Sequence, residues 1–92
     1  MLTIEFSNQF KRDYKLAAKR GYDMAKLMDV ISLLQNEATL PAEYRDHPLK
    51  GINKNIGVRE CHIEPDWLLV YRIKNDKLIL QLIRTGTHSD LF

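Results

Sequence analysis

VRECHIE (residues 58–64), PD (65–66), WLLVYRIK (67–74), ND (75–76) and KLILQLIRT (77–85) read as three strands joined by two tight turns. The runs are rich in β-branched and aromatic residues and are bounded by turn formers. Two-residue connections close antiparallel hairpins, so the second half of the chain predicts a three-stranded meander. Before it, residues 38–57 carry Pro41, Pro48, Gly51 and Gly57 with no period, and read as a long irregular connection.

The first half reads differently. Leu2, Ile4 and Phe6 alternate with Thr3 and Glu5, a short strand. Ser7 or Asn8 can cap a helix, on which Phe10, Tyr14, Ala17 and Ala18 share a face. Gly21 is a stop signal. Asp23 caps a second helix with Met24, Leu27, Met28, Ile31 and Leu34 as its apolar stripe. About two residues separate the helices, which predicts an antiparallel helical hairpin. The order is β-α-α-β-β-β. The fold class is α+β: an antiparallel sheet of about four strands packed against an N-terminal helical hairpin.

Composition limits what this can be. The chain has 92 residues, 45% hydrophobic and 28% charged, which suits a single domain spanning 1–92 and excludes disorder, coiled coil and collagen. The apolar runs are too short to span a bilayer, and MLTIEF does not read as a signal peptide. The lone cysteine, Cys61, cannot form an internal disulfide, which fits a cytoplasmic location. Fourteen Lys and Arg against twelve Asp and Glu leave a net charge of +2. Yet KRDYKLAAKR (11–20) holds Lys11, Arg12, Lys15, Lys19 and Arg20 against Asp13 alone. That basic face predicts a polyanionic partner.

With Asn75-Asp76 as a two-residue turn, Trp67 lies opposite Arg84, Leu69 opposite Leu82 and Tyr71 opposite Leu80. With Pro65-Asp66 as the other, His62 lies opposite Leu69 and Glu64 opposite Trp67. Paired residues share a face, so His62, Trp67 and Arg84 are expected on one face with Asp66 in the adjacent turn. A bulge would break this register. His47 lies in the long connection, and His88 follows Gly86, where the chain can turn back toward Asp66 and Arg84.

Imidazoles beside a guanidinium suit RNA cleavage by acid and base without a metal. One group takes the 2′-hydroxyl proton, another protonates the leaving 5′ oxygen, and Arg84 binds the phosphate. The histidine spacing carries no recognised zinc signature, so no metal and no cofactor are expected. The same residues also admit plainer readings: surface histidines, Trp67 in the core, and Arg84 paired with Asp66 or Asp90.

DHPLKG (46–51), HIEPDW (62–67) and RTGTHSDLF (84–92), in this order and spacing, resemble the YafQ branch of the RelE-like bacterial toxins. The resemblance covers the whole chain. It implies a RelE-like fold and a ribosome-dependent mRNA interferase, an endoribonuclease that cuts messenger RNA in the ribosomal A site. It implies a cognate antitoxin of ribbon-helix-helix type, through which alone operator DNA is bound, and no membrane partner. The implied site is His47, His62, Asp66, Trp67, Arg84, His88 and Phe92. Within it, Arg84 would stabilise phosphate charge and His88 would act as acid. Asp66, or His62 assisted by Asp66, would act as base. His47, Trp67, Phe92 and Lys50 would hold RNA, while Lys11, Arg12, Lys15, Lys19 and Arg20 would contact ribosomal RNA. The alternatives are a gyrase-inhibiting toxin of the same fold, a branch that generally lacks the histidines, and a binding module without nuclease activity.

Overall fold

Ser7 opens the first helix as the alternation of β1 (Thr3–Phe6) ends: its hydroxyl accepts the Phe10 N–H and donates to the Ile83 carbonyl, pinning the helix start to the sheet. The computed structural model describes residues 1–49 and 57–92. Helix α1 (Asn8–Lys19) buries Phe10, Asp13 and Ala17. Gly21, at φ 82°, lets the chain leave the helix. Asp23 caps α2 (Met24–Gln35), which buries Leu27, Val30, Ile31 and Leu34 and leaves Met28 half exposed. A 3-10 turn (Ala42–Tyr44) then leads to β2 (His47–Pro48). The meander follows as β3 (Val58–Glu64), β4 (Trp67–Lys74) and β5 (Ile79–Gly86), and a one-turn helix, α3 (His88–Leu91), follows the sheet. Among the described residues, no helix is long and apolar enough to cross a membrane.

The α+β class holds, with two additions. The sheet has five strands in the order β1-β5-β4-β3-β2. The fifth is the two-residue β2, inside the segment read as irregular; Pro48 cannot donate to a ladder, so only an edge suits it. β1 pairs with β5 in parallel, from Thr3 with Ile79 to Phe6 with Leu82. No hairpin fixes its direction, because a helix and not a turn follows it.

One sheet face carries the core. Cys61, Leu69, Tyr71, Leu80 and Leu82 are buried there with Phe10 and Ala17 of α1 and the apolar stripe of α2. Each fully buried large side chain contributes about 1.5–3 kcal/mol.

The register differs from the expected one, for two reasons. The β4–β5 connection is four residues, Asn75 to Leu78, closed by the Lys77 N–H on the Lys74 carbonyl. Tyr71 therefore pairs with Leu82, not Leu80. Each hairpin also carries a bulge. One lies between His62 and Glu64, so Glu64 faces Trp67 as expected but His62 faces Leu68. The other falls at Val70/Tyr71 and brings Arg84 opposite Val70. Trp67 is thus not opposite Arg84.

Candidate functional site

Alternation along VRECHIE sends Cys61 and Ile63 to the core and Glu60 and His62 to the other face. Leu68 and Val70 form the apolar floor there, since they alternate with Leu69 and Tyr71 and pair with His62, Glu60, Gly86 and Arg84. β2 brings His47 beside Glu60. By register His62 and Arg84 therefore share a face as expected, without Trp67, although the Arg84 guanidinium turns to α1.

The three histidines form a chain. Ring centroids of His47 and His62 lie 6.1 Å apart, and those of His62 and His88 lie 5.8 Å apart. Each ring has its Nδ1 against an oxygen: His47 on the Arg45 carbonyl at 2.7 Å, His62 on the Pro65 carbonyl at 3.3 Å, His88 on Asp66 Oδ1 at 2.7 Å. A carbonyl oxygen only accepts, so Nδ1 of His47 and of His62 is the protonated nitrogen, and an ionised Asp66 imposes the same on His88. In the neutral tautomer all three leave Nε2 with its lone pair available. The loop before His47 is braced by Asp46, which accepts from Arg59 Nη2 at 3.1 Å and from the Tyr71 hydroxyl.

Asp66, a candidate base, binds His88 through Oδ1. It is exposed, and the His88 N–H and then the His88 ring hold its carboxyl below the usual carboxylate range. A lowered pKa makes it a poorer proton acceptor and a better anchor for His88.

Arg84 does not pair with Asp66 or Asp90 but reaches Asp13 on α1, with Nε at 3.0 Å and Nη2 at 3.1 Å. Asp13 also accepts the Thr85 N–H and a Gln9 side-chain N–H. Burial pushes the Asp13 carboxyl up, but the bonds from Arg84, Gln9 and Thr85 outweigh it and the net shift is downward.

Trp67, a candidate RNA contact, lies in the core. It is 2% exposed, donates its indole N–H to Thr85 at 2.9 Å and packs edge-on against Tyr22. Phe92 is 70% exposed, and its N–H caps the His88 carbonyl. Lys50 lies outside the described residues. Lys11, Arg12, Lys15 and Lys19 are exposed along α1, whereas Arg20 is bound to Asp90 at 2.7 Å. Cys61 is buried; burial first, then the charges of Asp46 and Glu60, push its thiol up to about 12, far from nucleophilic use.

Three acids that hold the site together were given no role in it by the sequence. Glu60 is buried, with one oxygen 3.5 Å from His47 Nε2 and 3.9 Å from His62 Nε2, and no partner on the other among the described residues. Its position two before His62 was the available signal. Asp13 stands three after Phe10, on the buried side of α1. Asp90 completes the pattern Thr87-x-x-Asp90, a capping box.

Ligand atoms of His47, Glu60 and His62 all lie within 4.8 Å of one another, near enough to share one ion. Two imidazoles and a carboxylate suit zinc or copper, and each imidazole is oriented by a backbone carbonyl on its far nitrogen, as ligating histidines are.

Comparison with known proteins gives a consistent result. A family described as "Bacterial toxin of type II toxin-antitoxin system, YafQ" matches residues 2–92. The mRNA interferase toxin YafQ of Escherichia coli K12 is 52% identical over 90 residues, covering 97% of this chain and 94% of that protein. A crystal structure of a metal-bound toxin from Helicobacter pylori superimposes with a TM-score of 0.92 at 49% identity, covering all of both chains. The E. coli DinJ-YafQ complex does so with a TM-score of 0.89 at 47% identity, covering 100% of this chain and 99% of that one.

Proposed function

The chain belongs to the YafQ family of bacterial toxins of type II toxin–antitoxin systems, and from that premise we propose that its histidine face cuts messenger RNA on the ribosome by metal-independent acid–base chemistry, halting translation. The whole chain is read as one toxin domain acting in the cytoplasm. The observation that carries the reading is the file of three imidazoles, each held by Nδ1 and each presenting Nε2 on one wall of the sheet.

His62 Nε2 takes the proton of the ribose 2′-hydroxyl as that oxygen attacks the neighbouring phosphorus. His88, as imidazolium, returns a proton from Nε2–H to the departing 5′ oxygen. The products are a 2′,3′-cyclic phosphate and a 5′-hydroxyl. Asp66 holds the His88 ring by Nδ1 and fixes its tautomer. Arg84 binds the non-bridging oxygens, where charge builds in the transition state; Asp13 holds its Nε and one Nη, leaving the other N–H groups for phosphate. His47 positions RNA and Phe92 stacks on a base.

His88→Ala and Arg84→Ala should each abolish cleavage of ribosome-bound messenger RNA, read by primer extension; melting should be unchanged in His88→Ala and lowered in Arg84→Ala, which strands the buried Asp13 carboxylate. A 2′-deoxy substitution at the scissile nucleotide should do the same. Near-normal cleavage by both variants rejects the mechanism and favours the gyrase-inhibitor or binding-module reading.

One observation favours a second role for the same wall. Two Nε2 lone pairs facing a buried carboxylate with an orphaned oxygen fit a divalent transition metal, which would supply Lewis-acid charge there and occupy the nitrogen that His62 needs as base. On the leading reading, chelators leave cleavage intact and added zinc lowers it. Cleavage lost on chelation and restored by zinc would replace the metal-free reading.

The partner is an antitoxin of ribbon-helix-helix type, which also brings the complex to operator DNA. A groove of about 430 Å3 between the helices, lined by Phe6, Phe10, Met28 and Ile31 and flanked by Lys11 and Lys15, supports docking of an amphipathic, acid-flanked antitoxin helix. Lys11, Arg12, Lys15 and Lys19 are also the candidate ribosomal contacts, so a bound antitoxin would compete with the ribosome for Lys11 and Lys15. Reversing Lys11, Lys15 and Lys19 to Glu should weaken ribosome association and its salt dependence together.

A further inference from the structure

We infer that Arg20 is a positioning residue for cleavage: from the end of α1 it grips Asp90 and so fixes the turn that presents His88. The sequence places Arg20 in the basic ribosome-facing set; its guanidinium is instead engaged within the chain.

The tail needs such a hold. α3 has four residues, and none is buried. One helical turn is not stable on its own, so polar contacts must keep it in place. Its start is a reciprocal cap, in which Thr87 Oγ1 accepts the Asp90 N–H at 3.1 Å and Asp90 Oδ2 accepts the Thr87 N–H at 3.0 Å. The same carboxylate takes both terminal nitrogens of Arg20, at 2.7 and 3.2 Å. It also lies against the backbone of Gly86, where a Cβ would stand 3.0 Å from Asp90 Cβ and Oδ2. His88 follows the cap directly, with its N–H and its Nδ1 both on Asp66 Oδ1.

The tail is thus held from two sides. The β3–β4 turn anchors the imidazole through Asp66, and α1 anchors the cap through Arg20. A planar fork binding both carboxylate oxygens defines orientation as well as distance, which a lysine cannot reproduce. Without it, Asp90 keeps its backbone bond but can swing, and Nε2 of His88 swings with the turn. The bridge downplays neither charge: Arg20 holds the Asp90 carboxyl well below the usual range.

This inference rests on His88 being the proton donor, and the experiment separates the two. Arg20→Ala, Arg20→Lys, Asp90→Asn, the double Arg20→Ala/Asp90→Asn and His88→Ala are compared on ribosomes programmed with one messenger RNA, across ribosome concentrations. Arg20→Ala should lower kcat about ten- to a hundredfold, as a displaced catalytic group does, with KM little changed. Arg20→Lys should recover part of that loss. The double variant should be no worse than the poorer single, because both changes cut one link. Heteronuclear NOEs of residues 88–92 should fall in Arg20→Ala, while the rest of the chain and its melting stay as in the parent. Unchanged kcat in Arg20→Ala beside an inactive His88→Ala overturns the inference. A rise in KM alone, or losses that add in the double variant, overturns it in favour of a direct ribosomal contact. If His88→Ala cleaves like the parent, the catalytic reading has failed, and the tail NOEs alone decide whether Arg20 holds the turn.

Discussion

Cys61 and His62 are neighbours in the chain and stand on opposite walls of one sheet. Around Cys61, position is fixed by exclusion of water: Leu69, Tyr71, Leu80 and Leu82 meet the helices and leave almost no exposed surface. Around His62, position is fixed by directed bonds, a carbonyl or carboxylate oxygen behind every imidazole. One wall answers to volume and the other to individual atoms. Substitutions on the two walls should therefore fail in different ways.

The largest effect should come from the bonded wall. His62→Ala should lower cleavage by about 10²–10⁴, the usual contribution of a general acid or base, with little change in melting. A melting point that falls as steeply as activity would erase the distinction. The apolar wall should behave in reverse. Leu69→Ala should cost about 2–5 kcal/mol of stability, measured by denaturant unfolding, while the remaining folded molecules cleave at the parental rate. Trp67→Phe tests the border between the walls. It removes the bond to Thr85 at about 1 kcal/mol and should leave cleavage unchanged; a selective loss of cleavage would return Trp67 to the RNA site.

The smallest effect is set by acid. Hydrogen bonds hold the carboxyls of Asp13 and Asp90 below their usual range. Groups with a depressed folded pKa contribute stability that is complete above their unfolded value, about 3.9, and lost as pH falls through the folded one. Lowering the pH from about 4 toward 2 should loosen the tail, read at the Thr87 and Asp90 amides, and the α1–β5 seam, read at the Thr85 amide. Stability that stays flat across that range would mean these bonds add nothing to folding.

The apolar wall was legible in the sequence because burial writes itself as period. VRECHIE and WLLVYRIK give the bounds of β3 and β4 as observed, and Ser7 and Asp23 cap the helices. The bonded wall was legible only as a set of residue types. His47, His62, Asp66, Arg84 and His88 could be chosen for their chemistry, but which wall they share depends on two bulges and a four-residue turn. None of these leaves a distinctive composition. The bulge in β5 shows why: Leu80 and Leu82 face the helices, and strict alternation would send Arg84 after them. One extra residue turns Arg84 outward. Glu60, Asp13 and Asp90 were passed over for another reason. Each is an acid in a stretch read for its bases, histidines or apolar residues.

The one-turn helix at the end of β5 has a consequence for how this toxin responds to salinity. Its hold is largely ionic and lies in water, where added electrolyte weakens such contacts, whereas the sheet and helices are kept together by an apolar interior that salt does not weaken. Enzymatic output should therefore fade as salt rises, well before the polypeptide denatures, leaving a population of intact but idle molecules that an antibody would still count as toxin.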